Sequence, residues 1–244
     1  MGSHTIINGL NGELARVVKS TRTDTLNRKN EWVLKLLGVL EQHAAEEKKV
    51  LGNESLTQQG KRQALATFAT KETAPGLTWV RNLVGDLEQT DQDYRTRFYT
   101  IDSGIQDPAV RLPTFVYVWG KLDTLDVTGR MTRFAQAAER DDVVVMAAML
   151  ENPLGPMITD DVNERALTER AKRRFPQAYD NFQQNTYLLE VLKTYRNWIG
   201  RWLVDEVGVE IRVIREAFGD EIADTLTVQQ TGLRPPDAHP VGVQ

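Results

Sequence analysis

The sequence predicts an all-α fold: a multi-helix bundle with long N-terminal and C-terminal helices packed in coiled-coil fashion. Three observations predict it. Large apolar residues recur at steps of three and four along most of the chain, which lines one side of an α-helix rather than one face of a strand. A proline-free stretch from Tyr179 to Phe218 keeps that step from Leu188 onward without a stop. Only two short runs, TFVYVW and GVEIRV, are β-branched or aromatic enough to suggest strands.

The stretch from Tyr179 to Phe218 organises the rest. Leu188, Leu192, Tyr195, Ile199 and Leu203 form one stripe, which Val207, Ile211, Ile214 and Phe218 continue. A single helix over 179–218 would be about 60 Å long at 1.5 Å per residue, so it needs partner helices along its length. Trp198 and Trp202, four apart, place an aromatic ledge beside Ile199 and Leu203. Each ring buries roughly 150–250 Å² when covered, which makes these four residues candidates for a protein contact.

In chain order, helical spacing is expected over 13–51 as one long helix. Leu14, Val17 and Val18 precede a polar interval, and Trp32, Leu36, Leu37 and Leu40 resume the stripe up to the stop at Gly52-Asn53. Thr57 is a plausible N-cap for a second helix with Leu65, Phe68 and Ala69 inward, broken at Pro75-Gly76. A third carries Leu77, Val80, Leu83, Val84 and Leu87, completing an N-terminal three-helix region over 1–99. TIDSGIQDPAV at 100–110 gathers the turn formers of a boundary. Beyond it, RLPTFVYVWGKLDTLD fits helix or strand.

A helix over Thr128–Arg140 turns Met131, Phe134, Ala135 and Ala138 inward, and Asp141-Asp142 supplies charge and a cap at the start of VVVMAAML. Asn152-Pro153 ends that helix, and another runs through Lys172 and stops before Pro176. These elements and the long helix make a second region, 100–224. The remainder, 225–244, is expected to be a flexible or extended tail, with Leu233, Pro235 and Pro236 suited to a neighbour's pockets.

Composition narrows the functional classes. The chain has 244 residues, 41% of them hydrophobic and 26% charged, which is ordinary for a globular protein. A net charge of −4 removes the usual electrostatic footprint of a duplex-binding protein. With no cysteine, thiolate metal sites and disulfides are excluded, and a reducing cytoplasm fits. The longest apolar run, VVVMAAML, is far short of the roughly 20 residues that span a bilayer, so no membrane helix is expected. The opening residues, MGSHTIINGLNGE, lack a basic segment followed by an apolar core and a small-residue cleavage site, so no secretion signal is expected in them.

Only three histidines occur, and His43, in EQHAAEEKK, is expected on a solvated helix face. Neither H-E-x-x-H, G-x-S-x-G, a P-loop nor a dinucleotide fingerprint is present. No catalytic, cofactor-binding or metal-binding residue is therefore expected. The expected function is a non-enzymatic structural or assembly protein, with self-association or other structural proteins as partners. The alternative is a nucleic-acid accessory protein using Lys172–Arg174 and Arg196–Arg201; a helical enzyme with an unrecognised carboxylate site ranks below both.

Two segments carry a resemblance. SLTQQGKRQALATFATKETAPGLTWVRNLVGDL resembles a "leucine-threonine, glycine-basic, helix, acidic-threonine, helix" segment of small helical proteins of tailed bacteriophages and prophages. KLDTLDVTGRMTRFAQAAERDDVVVMAAMLENPLGPMITDDVNERALTERAKRRFPQAY is similar to a second piece of the same proteins, through Leu122, Leu125, Asp142, Val143, Ala147, Leu150, Pro153 and Pro176. Roughly half the chain is covered. Such proteins have no assigned function and supply no functional residues. The resemblance implies helix rather than strand at 110–125, and a virion or virion-assembly role after synthesis in the host cytoplasm.

Overall fold

A computed structural model describes residues 6–9, 11–12, 25–155 and 157–231, the side chains of 25–30, 33 and 228–231 excepted. The fold is all-α, with no strand among the described residues. The helices are α1 (Thr25–Leu51), α2 (Gln58–Phe68), α3 (Trp79–Tyr99), α4 (Pro108–Leu122), α5 (Val127–Arg140), α6 (Val143–Leu150), α7 (Asp160–Arg174), α8 (Pro176–Trp202), α9 (Ile211–Phe218) and α10 (Asp220–Thr231). Two π-helical turns, Ala69–Thr73 and Leu203–Val207, follow α2 and α8 directly, and Ala74–Gly76 adds one α-helical turn before α3. α1 and α8, with 27 residues each, are the long N-terminal and C-terminal helices.

Caps explain several starts. Thr57 Oγ1 accepts from the Gly60 N–H at 3.1 Å, and Asp107 accepts from Ala109 N at 2.9 Å. Asp126 accepts from Gly129 N at 2.7 Å, and Asp142 from Val145 N at 3.2 Å. Each supplies a partner for a first-turn amide that has none inside its own helix. Asp141 ends α5 in the left-handed conformation, φ 58°, where its carboxylate accepts from Arg170 Nε at 2.6 Å and pairs with Arg174 at 3.0 Å.

The single helix expected over 179–218 is interrupted. After Trp202 the backbone widens into the π turn, the N–H of Gly208 donates to Leu203 O, and Gly208 takes φ 87°. A residue with a side chain pays for that left-handed geometry, so glycine is the natural stop. Val209 N–H also donates to Leu203 O, at 2.8 Å, and α9 starts afresh at Ile211. The apolar residues keep their spacing across the break because π2, here Leu203–Val207, still buries Leu203, Val204 and Val207.

Other expectations also shift. The polar interval at 25–30 is helical, whereas 13–24 lies outside the described residues. Pro75 sits within a helical first turn, and the break comes after it, at Leu77-Thr78. TFVYVW is helical, within α4. Residues 225–231, expected in the tail, belong to α10, because TLTVQQT has no proline or glycine and Leu226 is buried. Thr225 and Thr227 donate their hydroxyls to the carbonyls of Glu221 and Ala223.

The chain forms two compact units: residues up to Asp86 together with Leu189 onward, and Leu87–Leu188. The divide therefore falls inside α3 and α8, not at 100–110, where residues 100–107 are a loop within the second unit and 108–110 already belong to α4. A boundary inside a helix leaves no glycine or proline signature to read. The first unit's core holds Leu36, Leu40, Leu77, Val80, Leu192, Ile199, Leu203, Ile214 and Phe218. The second unit holds a cluster around Phe134, Met146, Met149 and Leu167, and an aromatic cluster of Phe98, Tyr179 and Phe182.

Candidate functional site

Two places in the structure depart from what a self-contained helical protein needs. One is the outer face of α4 in the second unit. α4 turns Phe115 and Leu122 into the core and anchors Trp119, whose indole N–H donates to Ala148 O at 2.6 Å. Its opposite side carries Ala109, Leu112, Pro113, Val116, Tyr117 and Gly120, every one exposed and none charged. Leu112 is 59% exposed and Tyr117 68%. A helix that is apolar all round is ordinarily buried on all sides. Pro113 cannot donate to the carbonyl of Ala109, so the same face also lacks one helical hydrogen bond.

The other place is His43, in the first unit. It was expected on a solvated face and is buried instead. Its Nδ1 shares a 2.8 Å hydrogen bond with Thr73 Oγ1, in the first π turn. Its ring meets Trp202 edge-on at 4.6 Å and tilts against Phe68 at 5.8 Å. The second ring nitrogen, Nε2, is buried without a hydrogen-bond partner, a condition that costs about 1–3 kcal/mol. A cavity of about 200 Å³ lies beside the residue, lined also by Glu47 and Leu51 of α1, Gln58, Lys61, Arg62 and Leu65 of α2, and Trp202, Glu206 and Val207.

Burial lowers the His43 pKa below its ordinary 6.5, opposed by the nearby Glu47 carboxylate, which raises it. The folded state therefore binds this proton less well than the unfolded chain does. The stability that His43 contributes is complete above pH 6.5 and lost as pH falls below it through the lowered folded value. The loss is no steeper than about 1.4 kcal/mol per pH unit, the one-proton limit. Urea unfolding of wild type and His43→Phe at matched pH should show this slope in the wild type and lose it in the variant; equal slopes would exclude His43 as its source.

The residues expected to make contacts distribute as follows. Ile199, Trp202 and Leu203 are buried within the first unit. Trp198 is 37% exposed, packs edge-on against Tyr195 at 5.2 Å, and lines a shallow depression with Arg201, Asp205 and Glu206. Leu233, Pro235 and Pro236 lie outside the described residues. The α4 face and the His43 pocket were not anticipated. Apolar residues on both sides of TFVYVW were the sequence signal for the first; nothing local signals the second.

Four of the basic residues considered for nucleic acid, Lys172, Arg173, Arg174 and Arg196, carry acidic or carbonyl partners. Lys172 Nζ pairs with Glu169 at 2.7 Å and Arg174 with Asp141, and Arg173 donates to Ala138 O at 3.2 Å. Arg196 is buried and donates to Glu221 at 2.8 Å. Among the described residues, no group of three or more histidine, aspartate or glutamate side chains is placed to hold a metal ion, and no helix is long and apolar enough to cross a membrane. No protein-family model, curated protein or solved structure matches the chain.

Proposed function

We propose that this is a non-enzymatic structural or assembly protein that acts through helix–helix contacts, and that the α4 face is its contact surface. The observation behind the proposal is the apolar exposure of Ala109, Leu112, Pro113, Val116, Tyr117 and Gly120, bordered by Lys121, whose ammonium lies 5.6 Å from the Tyr117 ring centroid. Ala109, Pro113, Val116 and Gly120 step by four, three and four, the spacing of a helix-pairing seam. Small side chains at both ends of that seam permit close approach.

The partner is a second copy of the chain, packed antiparallel. In that arrangement Lys121, near the C-terminal end of one α4, faces Asp107, at the N-terminal start of the other. The two helix dipoles then oppose one another favourably. α4 has 15 residues, so the face is about 22 Å long. One such face falls short of the roughly 800 Å² per partner of a standard stable interface, so association through it is weak and concentration-dependent. Weak repeated contacts suit a component that is locked in place by many neighbours.

Sedimentation velocity across a concentration series provides the test. Wild type should self-associate, and Val116→Lys should remain a monomer with its melting temperature nearly unchanged, because Val116 is exposed. A wild type that stays monomeric at the highest concentrations would remove the proposal. The setting we propose, a tailed-phage virion or its assembly in the host cytoplasm, rests on the sequence resemblance alone. It predicts the chain in purified virions or their assembly intermediates, and absence from both would overturn it.

A further inference from the structure

We propose that Leu154, at the tip of the turn that follows α6, is a second part of the contact surface and packs on the last turn of a partner's α4, at Gly120. This rests on the reading of α4 as a contact between two copies of the chain. Leu154 is 96% exposed, more than any other large apolar side chain among the described residues. A lone apolar residue on a surface needs no explanation, whereas one held beside an exposed apolar helix face enlarges a patch.

The turn is built to hold that side chain out. The Leu154 N–H donates to Asn152 Oδ1 at 2.9 Å, and the Gly155 N–H donates to Asn152 O at 3.0 Å. Gly155 takes φ 107°, a conformation that a residue with a Cβ rarely adopts. The chain is pinned again where the Met157 N–H donates to Met149 O at 3.2 Å. Of Leu154, Met157 and Ile158, the last two go into the core of the second unit and the first is displayed. A turn ordered before contact loses little freedom on binding.

Its position follows from how α6 lies on α4. Leu112, Phe115 and Trp119 are three and four residues apart, so they share one flank of α4. Phe115 packs with Ala147 and Ala148 of α6, and Trp119 donates to Ala148 O, which sets α6 along that flank. Just past the end of α6, Glu151 pairs with Arg111, the neighbour of Leu112. The two helices are thus antiparallel, and Leu154, only about 10 Å of chain beyond Glu151, emerges at the Leu112 end. In an antiparallel pair of α4 helices the seam sets Ala109 opposite the partner's Gly120, and Pro113 opposite the partner's Val116. Two-fold symmetry also brings like flanks together, so Leu154 and Leu112 line up with the partner's Leu112 and Leu154. Gly120 leaves room for the incoming side chain, because nothing lies within 4 Å of where a Cβ would stand. Four leucines added to the seam carry the buried face toward the roughly 800 Å² per partner of a standard interface.

The chain has no cysteine, so introduced cysteines report the contact directly. Full-length Leu154→Cys protein is mixed with size-tagged Gly120→Cys protein under mild oxidation, and the cross-linked products are separated on a non-reducing gel. The 154–120 link should dominate over the 154–154 link, because antiparallel packing puts the two Leu154 turns at opposite ends of the paired helices. Sedimentation velocity of Leu154→Ala and Leu154→Lys then measures what the side chain contributes. Each should weaken association by about tenfold or more, the worth of burying one leucine, with the melting temperature nearly unchanged because Leu154 is exposed. If both Leu154 variants associate like wild type while Val116→Lys is monomeric, this inference falls and the α4 reading stands. A wild type that stays monomeric would overturn both. A dominant 154–154 link would overturn the antiparallel placement, and with it the Leu154 contact.

Discussion

Trp202→Ala is expected to lower the unfolding free energy by about 3–5 kcal/mol, and Trp198→Ala by about 1 kcal/mol or less. The two tryptophans are one helical turn apart, yet Trp202 is 3% exposed and Trp198 37%. Removing the Trp202 indole deletes the surface that covers His43 and merges its volume with a cavity already present beside it. The loss therefore includes both the transfer of the ring to water and an unfilled space. Trp198 keeps one edge in solvent and one against Tyr195, so its truncation forfeits only part of a ring's burial. Denaturant unfolding followed by circular dichroism measures both. Similar losses for the two variants would contradict the burial assigned here, and a Trp198→Ala variant that changes association state but not stability would place that ring at an interface.

Phe98→Ala should be as costly, at about 3–5 kcal/mol. Phe98 is fully buried in the second unit and is ringed by aromatic neighbours: Phe182 at 5.6 Å, Tyr94 at 5.7 Å, Tyr179 at 5.8 Å and Phe175 at 6.2 Å between centroids. Two of these pairs are tilted or edge-to-face and two are stacked, and such aromatic pairs add about 0.5–1.5 kcal/mol beyond area burial. Four rigid rings cannot close over a missing fifth, so the cavity persists and the cost stays at the upper end of the range. Phe98→Leu should recover much of it, and Tyr117→Ala, at an exposed ring, should cost about 0.5 kcal/mol or less. A Phe98→Ala variant within 1 kcal/mol of wild type, roughly the scatter of ordinary surface changes, would show that this cluster does not hold the second unit together.

The helices were legible where local chemistry marks them. Thr57 and Asp142 cap as their positions suggest, and Pro176 separates α7 from α8. The break at Gly208 was hidden because Val207, Ile211, Ile214 and Phe218 hold a continuous helical period across it. Periodicity records which residues are buried, and both sides of the break bury theirs in the same core. The His43 pocket was illegible for another reason: Thr73 is 30 residues away, and Trp202 lies on a helix near the far end of the chain. A polar residue flanked by glutamates and lysines looks solvated until its distant neighbours are known. The ambiguity of TFVYVW, by contrast, had a physical source: α4 is apolar on its exposed side as well as its buried one.

The division of the chain inside α3 and α8 has a consequence for its synthesis. The second unit, Leu87–Leu188, is continuous and can close as soon as it leaves the ribosome. The first unit cannot, because its segments up to Asp86 need partners from Leu189 onward that are made about a hundred residues later. At 5–20 residues per second, that is a wait of roughly 5–20 seconds. Through that interval Leu36, Leu40, Leu77 and Val80 lack the α8 and α9 residues that share their core. The nascent chain is thus a natural client for a holding chaperone, and translation speed over Leu87–Leu188 sets how long its early helices stand uncovered.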